Sequence, residues 1–352
     1  MSGLRYAAYR TALESMYFSG AHRILRPLFG GVGAILTFHR VQPASGAAFQ
    51  PNEILEVEAE FLERLVRHLR GQGLELVSMD EVHRRLVEQD FSRKFVALTF
   101  DDGYIDNLEH AWPVLQRHEV PFALYIATSF PDRLGELWWV ALERVVAKVD
   151  RIALEMNGAT RFISCAGTGA KRKAFDDIYW WLRSLTDESE LRRAIRDICA
   201  RYGVDIKGPC NELCMDWAQI GRMAEDPLCT IGAHTINHVF LSKVSAETAR
   251  SEMARSAEVI EAALGEKPKH FAYPYGEVHS AGPREYKIAA ELGFKTAVTT
   301  NPSVLQARNR ETLTALPRIS VNGAFQTMRY VDVLLSGLPF AFRRAVGAAE
   351  AA

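Results

Sequence analysis

Long apolar runs are missing from this chain of 352 residues, and so is any excess of charge of one sign. Without such runs no transmembrane span is expected. The first thirty residues carry Arg5, Arg10, Glu14, Arg23 and Arg26 in place of the continuous apolar core of a secretory signal. The net charge is −1, and no basic tract extends beyond Lys171-Arg172-Lys173, so the chain gives no electrostatic reason to expect nucleic acid. Cysteine is scarce: five residues, at 165, 199, 210, 214 and 229. An odd, scattered set fits free thiols in a reducing compartment rather than a disulfide framework. Cys210 and Cys214 have no second Cys or His pair beside them, so a structural zinc site is not expected there. No short-period repeat is visible. These absences read as a cytoplasmic protein. Two apolar end segments with interleaved arginines, 16–33 and 330–346, keep a weak association with the inner-membrane surface in view, although packing against the domain is their expected role.

What is present is an ordinary globular composition, 48% hydrophobic and 24% charged, long enough to bury a substantial core. Residues 6–29 have a helical pattern that Pro27 and Gly30-Gly31 break. Short apolar runs read as strands at 33–38, 74–77, 95–100, 122–127, 229–233, 270–273, 296–299 and 315–321. Amphipathic helices alternate with them, most clearly at 58–69 and within 241–264. Such alternation predicts an α/β fold with parallel strands. Between residues 131 and 213 the rhythm changes to helical segments, read as an insertion. The expected organisation is therefore a helical segment over 1–30, a barrel over 31–322 interrupted by the insertion, and a tail over 323–352.

Several strands end in polar residues: His39, the pair Asp101-Asp102, Thr128, His234 and the Tyr275 segment. In a barrel of parallel strands that end is the catalytic face, and an open doubly wound sheet obeys a similar rule. The run FVALTFDDGY, 95–104, breaks from buried strand into two adjacent carboxylates. Carboxylates there are costly to bury without a metal or a cation, though either could instead cap a helix beginning near Asn107. In GAHTINH, 232–238, His234 and His238 are four apart, a spacing that on one helical turn faces both rings to one cation. Two histidines and a carboxylate are a common ligand set for a divalent metal that keeps positions open for water and substrate. The alternative is a strand-capping His234 and a surface His238.

TFDDG at 99–103, HTINH at 234–238 and FAYPYG at 271–276, supported by LTFHRV at 36–41 and LPRI at 316–319, resemble the polysaccharide deacetylase family, carbohydrate esterase family 4, which includes chitooligosaccharide deacetylases. The resemblance covers about 31–130 and 214–322 and leaves the insertion unmatched. It implies a distorted (β/α) barrel of the seven-strand type. It also implies Asp102, His234 and His238 as ligands of a divalent metal, zinc first, with Asp101 as catalytic base and the Tyr275 N–H as oxyanion donor. The implied reaction is hydrolysis of N-acetyl groups on N-acetylhexosamine units of a chitooligosaccharide or surface-polysaccharide precursor.

The chain departs from the family pattern twice. Ala272-Tyr273-Pro274-Tyr275 stands where an Arg-x-Pro-Tyr segment is usual, and no histidine follows His279 to match the late Leu-x-His motif. Arg318 is the candidate for the missing cation and His39 for proton transfer; the alternatives are a structural ion pair and a residue that closes the first strand. Trp138 and Trp139 either form a saccharide subsite or anchor a helix, the latter expected for at least one of them. Two other functions remain: a metal-dependent amidase of a small cyclic amide or ureide, and a non-catalytic saccharide-binding protein.

Overall fold

The computed structural model describes residues 3–156 and 158–342. Among them the strands are β1 (Gly33–Phe38), β2 (Arg40–Val41), β3 (Glu56–Val57), β4 (Glu75–Leu76), β5 (Phe95–Asp101), β6 (Phe122–Ile126), β7 (Arg151–Met156), β8 (Ala159–Ser164), β9 (Cys229–Ala233), β10 (His270–Ala272), β11 (Thr296–Val298) and β12 (Ile319–Ser320). Eight of them form one parallel sheet, ordered β11-β10-β9-β6-β5-β1-β12 with β4 beside β5. Leu316 joins the two ends. Its N–H donates to Ala297 O at 2.9 Å and its carbonyl accepts from Thr299 N–H at 2.8 Å. The sheet therefore curls into a distorted (β/α) barrel whose seam is one parallel bridge, Val298 to Leu316.

Strand alternation sorts the side chains. Ile35, Ala97, Ala123, Tyr125, Ala272, Val298 and Leu316 form one cluster, joined by Val77, Met79, Val82 and Leu86. The alternate residues Leu36, Phe38, Leu98, Phe100, Leu124 and Ile126 pack with the apolar stripes of helices Ala59–Gly71 and Ala246–Leu264. Phe38 and Phe100 stack at 5.1 Å within this second layer. Every residue of β1, β5 and β6 is buried, as strands covered on both faces must be.

Three local expectations are corrected. The helix expected over 6–29 is two helices, Gly3–Phe18 and Ala21–Phe29, split at Gly20 (φ 74°), and Pro27 lies inside the second. The last strand shrinks from 315–321 to Ile319–Ser320, because residues 313–315 coil into a 3-10 turn. The insertion also contains an antiparallel hairpin, β7 with β8, between its helices.

Helices Trp138–Lys148, Thr168–Ser184 and Glu188–Tyr202 give the insertion its own apolar cluster, which Tyr104 and Phe240 enter from barrel loops. The chain's ends pack on the main cluster: Leu13 from the first helix, and Val331, Val333, Leu334, Leu335 and Phe340. Residues 343–346 of the second apolar end segment, with the rest of the expected tail to 352, lie outside the described residues, as do residues 1 and 2. Phe18, Ile24 and Leu28 stay exposed. No helix among the described residues is long and apolar enough to cross a membrane.

Candidate metal centre and active site

Alternation along β5 puts Thr99 and Asp101 on the face of Ala97, so Asp101 tops an interior column. Arg318, fully buried, meets it with two parallel bonds: Nη1 to Oδ1 at 2.7 Å and Nη2 to Oδ2 at 2.6 Å. Thr99 Oγ1 accepts a further bond from Nη1 at 3.2 Å, and Thr299 O accepts one from Nε at 3.0 Å. Burial pushes the Asp101 carboxyl up, but the Arg318 guanidinium outweighs it and holds the group below the usual carboxylate range. The next residue turns away because Asp102 is left-handed, φ 75°. Neither aspartate serves as a helix cap: the following helix begins at Asn107 after Asp106, without a side-chain cap.

β9 delivers His234 directly after Ala233. A Cβ on Gly232 would stand 2.4 Å from the Tyr125 ring, so only glycine lets β9 lie this close to β6. His234 Nδ1 is 2.7 Å from Ala272 O, which leaves Nε2 facing Asp102 Oδ1 at 3.5 Å. His238 Nε2 faces the same oxygen at 3.3 Å. The expected helical turn is not what joins them. Residues 234–238 form a loop in which Thr235 (φ 66°) and His238 (φ 52°) are both left-handed, with the His238 N–H donating to Thr235 Oγ1 at 3.0 Å. Among the described residues, four of the seven non-glycine positions with positive φ are Asp102, Thr235, His238 and Tyr275. Strained backbone is concentrated where the candidate chemistry lies.

Asp102, His234 and His238 offer ligand atoms that all lie within 4.8 Å of one another, and all three residues are buried. Two bonds of about 2.0–2.1 Å at a tetrahedral angle separate their donor atoms by roughly 3.3 Å. The measured 3.3 and 3.5 Å match that spacing. Asp102 Oδ1 has no hydrogen-bond partner despite its burial, a cost that a cation removes. Burial brings the His238 imidazole down to about 3, and the facing imidazoles pull Asp102 below its usual range against burial. Both directions give an ionised carboxylate and a neutral ring, the forms a metal needs. The residues fit a divalent cation.

Around this group the insertion forms a wall. The Tyr275 ring lies 4.8 Å from that of His238 and stacks on Phe240 at 3.6 Å; its hydroxyl accepts from Trp138 Nε1 at 2.7 Å. The Tyr275 N–H has no partner among the described hydrogen bonds. Trp138 and Trp139 are both buried, Trp139 against His238 at 5.1 Å, and only Trp139 lines the cleft. His39 borders the same cleft, near enough to Asp101, Asp102 and His238 to act on their charges, and Asn107 Nδ2 anchors its carbonyl at 3.0 Å.

Three residues not anticipated from sequence hold the histidine loop. Arg192 Nη2 donates to Asn237 O at 2.9 Å and His238 O at 3.0 Å. Glu188 receives Arg192 Nε at 2.9 Å and the Phe240 N–H at 3.3 Å. From the other side Glu252 receives the N–H groups of Ile236 and Asn237, both at 2.9 Å. Glu252 had a signal: it is a carboxylate beside Ala249 and Met253 on the buried face of its helix.

A buried carboxylate–dihistidine group that could hold a metal ion lies at the carboxyl ends of the parallel strands, beside a second carboxylate held by arginine. The chain belongs to the polysaccharide deacetylase family, whose model matches residues 88–154 and 174–297. That match runs through most of the insertion, omitting only 155–173 of it, which corrects the expectation that the insertion stands apart from the family; His39 and Arg318 lie outside it. YxkH of Bacillus subtilis (strain 168), itself assigned as a polysaccharide deacetylase only provisionally, is 22% identical over 289 residues, 82% of this chain and 71% of that one. Among solved structures, the Streptococcus pyogenes deacetylase PplD, in complex with acetate, is similar at a TM-score of 0.56 with 20% identity, over 86% of this chain and 96% of its own. IcaB from Ammonifex degensii is similar at 0.53 with 20% identity, over 87% and 96%. At these identities the two structures speak for the fold.

Proposed function

We propose that this protein is a metal-dependent N-deacetylase acting on N-acetylhexosamine units of a chitooligosaccharide or a surface-polysaccharide precursor. The observation that supports it best is the unequal pair at the end of β5, where Asp102 faces two histidines and Asp101 faces Arg318. Asp102, His234 and His238 hold the cation, zinc first among candidates. Such a cation would supply Lewis acidity at that point, toward a water and the amide carbonyl oxygen.

Asp101 is the base. Arg318 keeps it ionised, so it enters the reaction as an acceptor and takes a proton from the attacking water. The Tyr275 N–H, held in a left-handed conformation, donates to the oxygen that becomes negative as water adds to the amide carbon. His39 enters protonated and gives its proton to the departing amine, the role left open by the absent late histidine, while the proton that Asp101 took from water leaves to solvent and His39 is reprotonated from it. Acetate and a free hexosamine amine result.

The test is acetate release from N-acetylglucosamine oligomers by metal-loaded protein, with Asp101→Asn as control. We expect release by the parent and a loss of about 10²–10⁴-fold in the variant while metal stays bound. An Asp101→Asn protein that retains full biological activity would favour the non-catalytic saccharide-binding reading. The small cyclic amide reading calls for a pocket closed around one small ring, whereas the cleft here, about 810 Å³, runs from His39 as far as Trp180.

A further inference from the structure

We infer that the insertion helix Thr168–Ser184 carries a second saccharide subsite, where Trp180 takes the apolar face of a sugar ring beyond the unit held at Asp101 and Asp102. The preferred substrate is then an oligosaccharide and not a single N-acetylhexosamine. This rests on the saccharide reading above and deepens it.

Trp180 is 46% exposed in a wall whose other aromatics are largely covered, and it lines the cleft that contains Asp102 and His238. A chain of contacts ties it to the centre. The Arg183 guanidinium carbon lies 5.0 Å from the Trp180 ring centroid, 5.6 Å from Tyr179, and 5.4 Å from both Phe240 and Tyr275. Tyr275 in turn packs on His238. One cation thus organises an aromatic wall running from the candidate metal group to Trp180.

The wall is preorganised. Arg183 is fixed by Glu277 Oε2 at 2.8 Å and by the Tyr179 hydroxyl at 3.3 Å. Tyr179 meets Trp180 edge-on at 5.3 Å and stacks on Trp138 at 5.1 Å and Phe175 at 5.5 Å. A sugar that lands on Trp180 therefore meets a ring already held, which lowers the entropic cost of binding. The charges point to a neutral ligand. Of the arginines lining the cleft, Arg172 is paired with Glu53 at 3.3 Å, Arg183 with Glu277, and Arg10 donates to Ala324 O at 2.8 Å, while Glu58 and Asp176 add carboxylates, so no surplus of cations is there to clamp an anion. Gln42 and Gln50 line the same cleft. An exposed aromatic face suits the apolar C–H face of a hexose.

The experiment compares the parent, Trp180→Ala and Trp180→Tyr on N-acetylglucosamine and its tetramer. Acetate release gives KM and kcat, and calorimetric titration of metal-free protein with the tetramer gives Kd. Trp180→Ala is expected to weaken tetramer KM and Kd about three- to tenfold, leave kcat/KM on the monosaccharide unchanged, and be largely rescued by Trp180→Tyr. The inference is overturned if the parent and Trp180→Ala bind the tetramer equally, or if monosaccharide and tetramer lose activity alike. The binding measurement separates the two readings: absence of acetate release by the metal-loaded parent counts against the catalytic proposal, whereas unchanged tetramer Kd removes the subsite alone.

Discussion

Asp101 and Asp102 are chemically identical neighbours, and one left-handed residue gives them different surroundings. Asp101 has the guanidinium of Arg318 on both oxygens, while Asp102 Oδ1 faces two imidazole nitrogens and nothing else. The folded pKa of Asp101 is lowered, so its ionised form contributes stability above the unfolded value of about 3.9, and that contribution is lost as pH falls through the folded value. In Arg318→Met the burial that raises the pKa loses its main opponent, with only His234 and His39 left against it. The acid limb of kcat/KM should then move up by about 1–3 pH units, with activity at pH 5 falling more than at pH 8. Leaving Asp101 buried without its partner should also cost about 3–5 kcal/mol in urea unfolding. An unmoved acid limb would show that Arg318 does not set the charge on Asp101. For the other carboxylate, Asp102→Ala and His238→Ala should each bring bound metal down to background in elemental analysis, and full metal content in either would exclude that ligand set.

At the scale of elements, the loop between β9 and helix Ala246–Leu264 is the piece that matters. It has two left-handed residues and one internal bond from the His238 N–H to Thr235 Oγ1, so much of its shape comes from outside: the Thr128 and Ser129 N–H groups, Glu252 on one side and Arg192 with Glu188 of the insertion on the other. Such outer contacts orient ligands without touching the metal. We expect Arg192→Ala to keep its far-UV circular dichroism and to lose about 10–100-fold in metal affinity by competition with a chromogenic chelator. Arg192→Lys, with one donor head in place of the fork, should recover part of that loss. Equal affinities in all three proteins would reduce the Arg192 contacts to packing.

For the molecule as a whole, barrel and insertion share the candidate site. Tyr104 and Phe240 from barrel loops lie in the insertion's apolar cluster, and Tyr275 packs against it. Ligand that binds only the folded state stabilises it, by about 4 kcal/mol at a thousandfold excess over Kd. Metal should therefore raise Tm of the parent and leave that of Asp102→Ala unchanged, a difference readable by scanning calorimetry. If both variants shifted equally, the cation would be acting elsewhere on the chain.

By itself the sequence determined the local grammar. Apolar runs of strand length, their alternation with amphipathic stripes, and polar residues at strand ends predict a parallel barrel with its chemistry on one face, because burial patterns are written in neighbouring residues. Asp101, Asp102, His234 and the Tyr275 segment stood out as polar strand ends for the same reason and Arg318 as a cation at a later strand, while the roles assigned to them and to His238 came from the resemblance of whole motifs to a family. What only the tertiary structure decided were pairings across distance. Arg318 reaches Asp101 because Leu316 closes the barrel seam, which no local pattern encodes. The histidine pair faces Asp102 from a strained loop rather than a helix, since a spacing of four fits both until packing chooses. Arg192 and Trp180 sit on helices whose amphipathic pattern shows only that one face is buried. That those helices wall the cleft follows from where the insertion docks, a matter of shape among residues far apart in the chain.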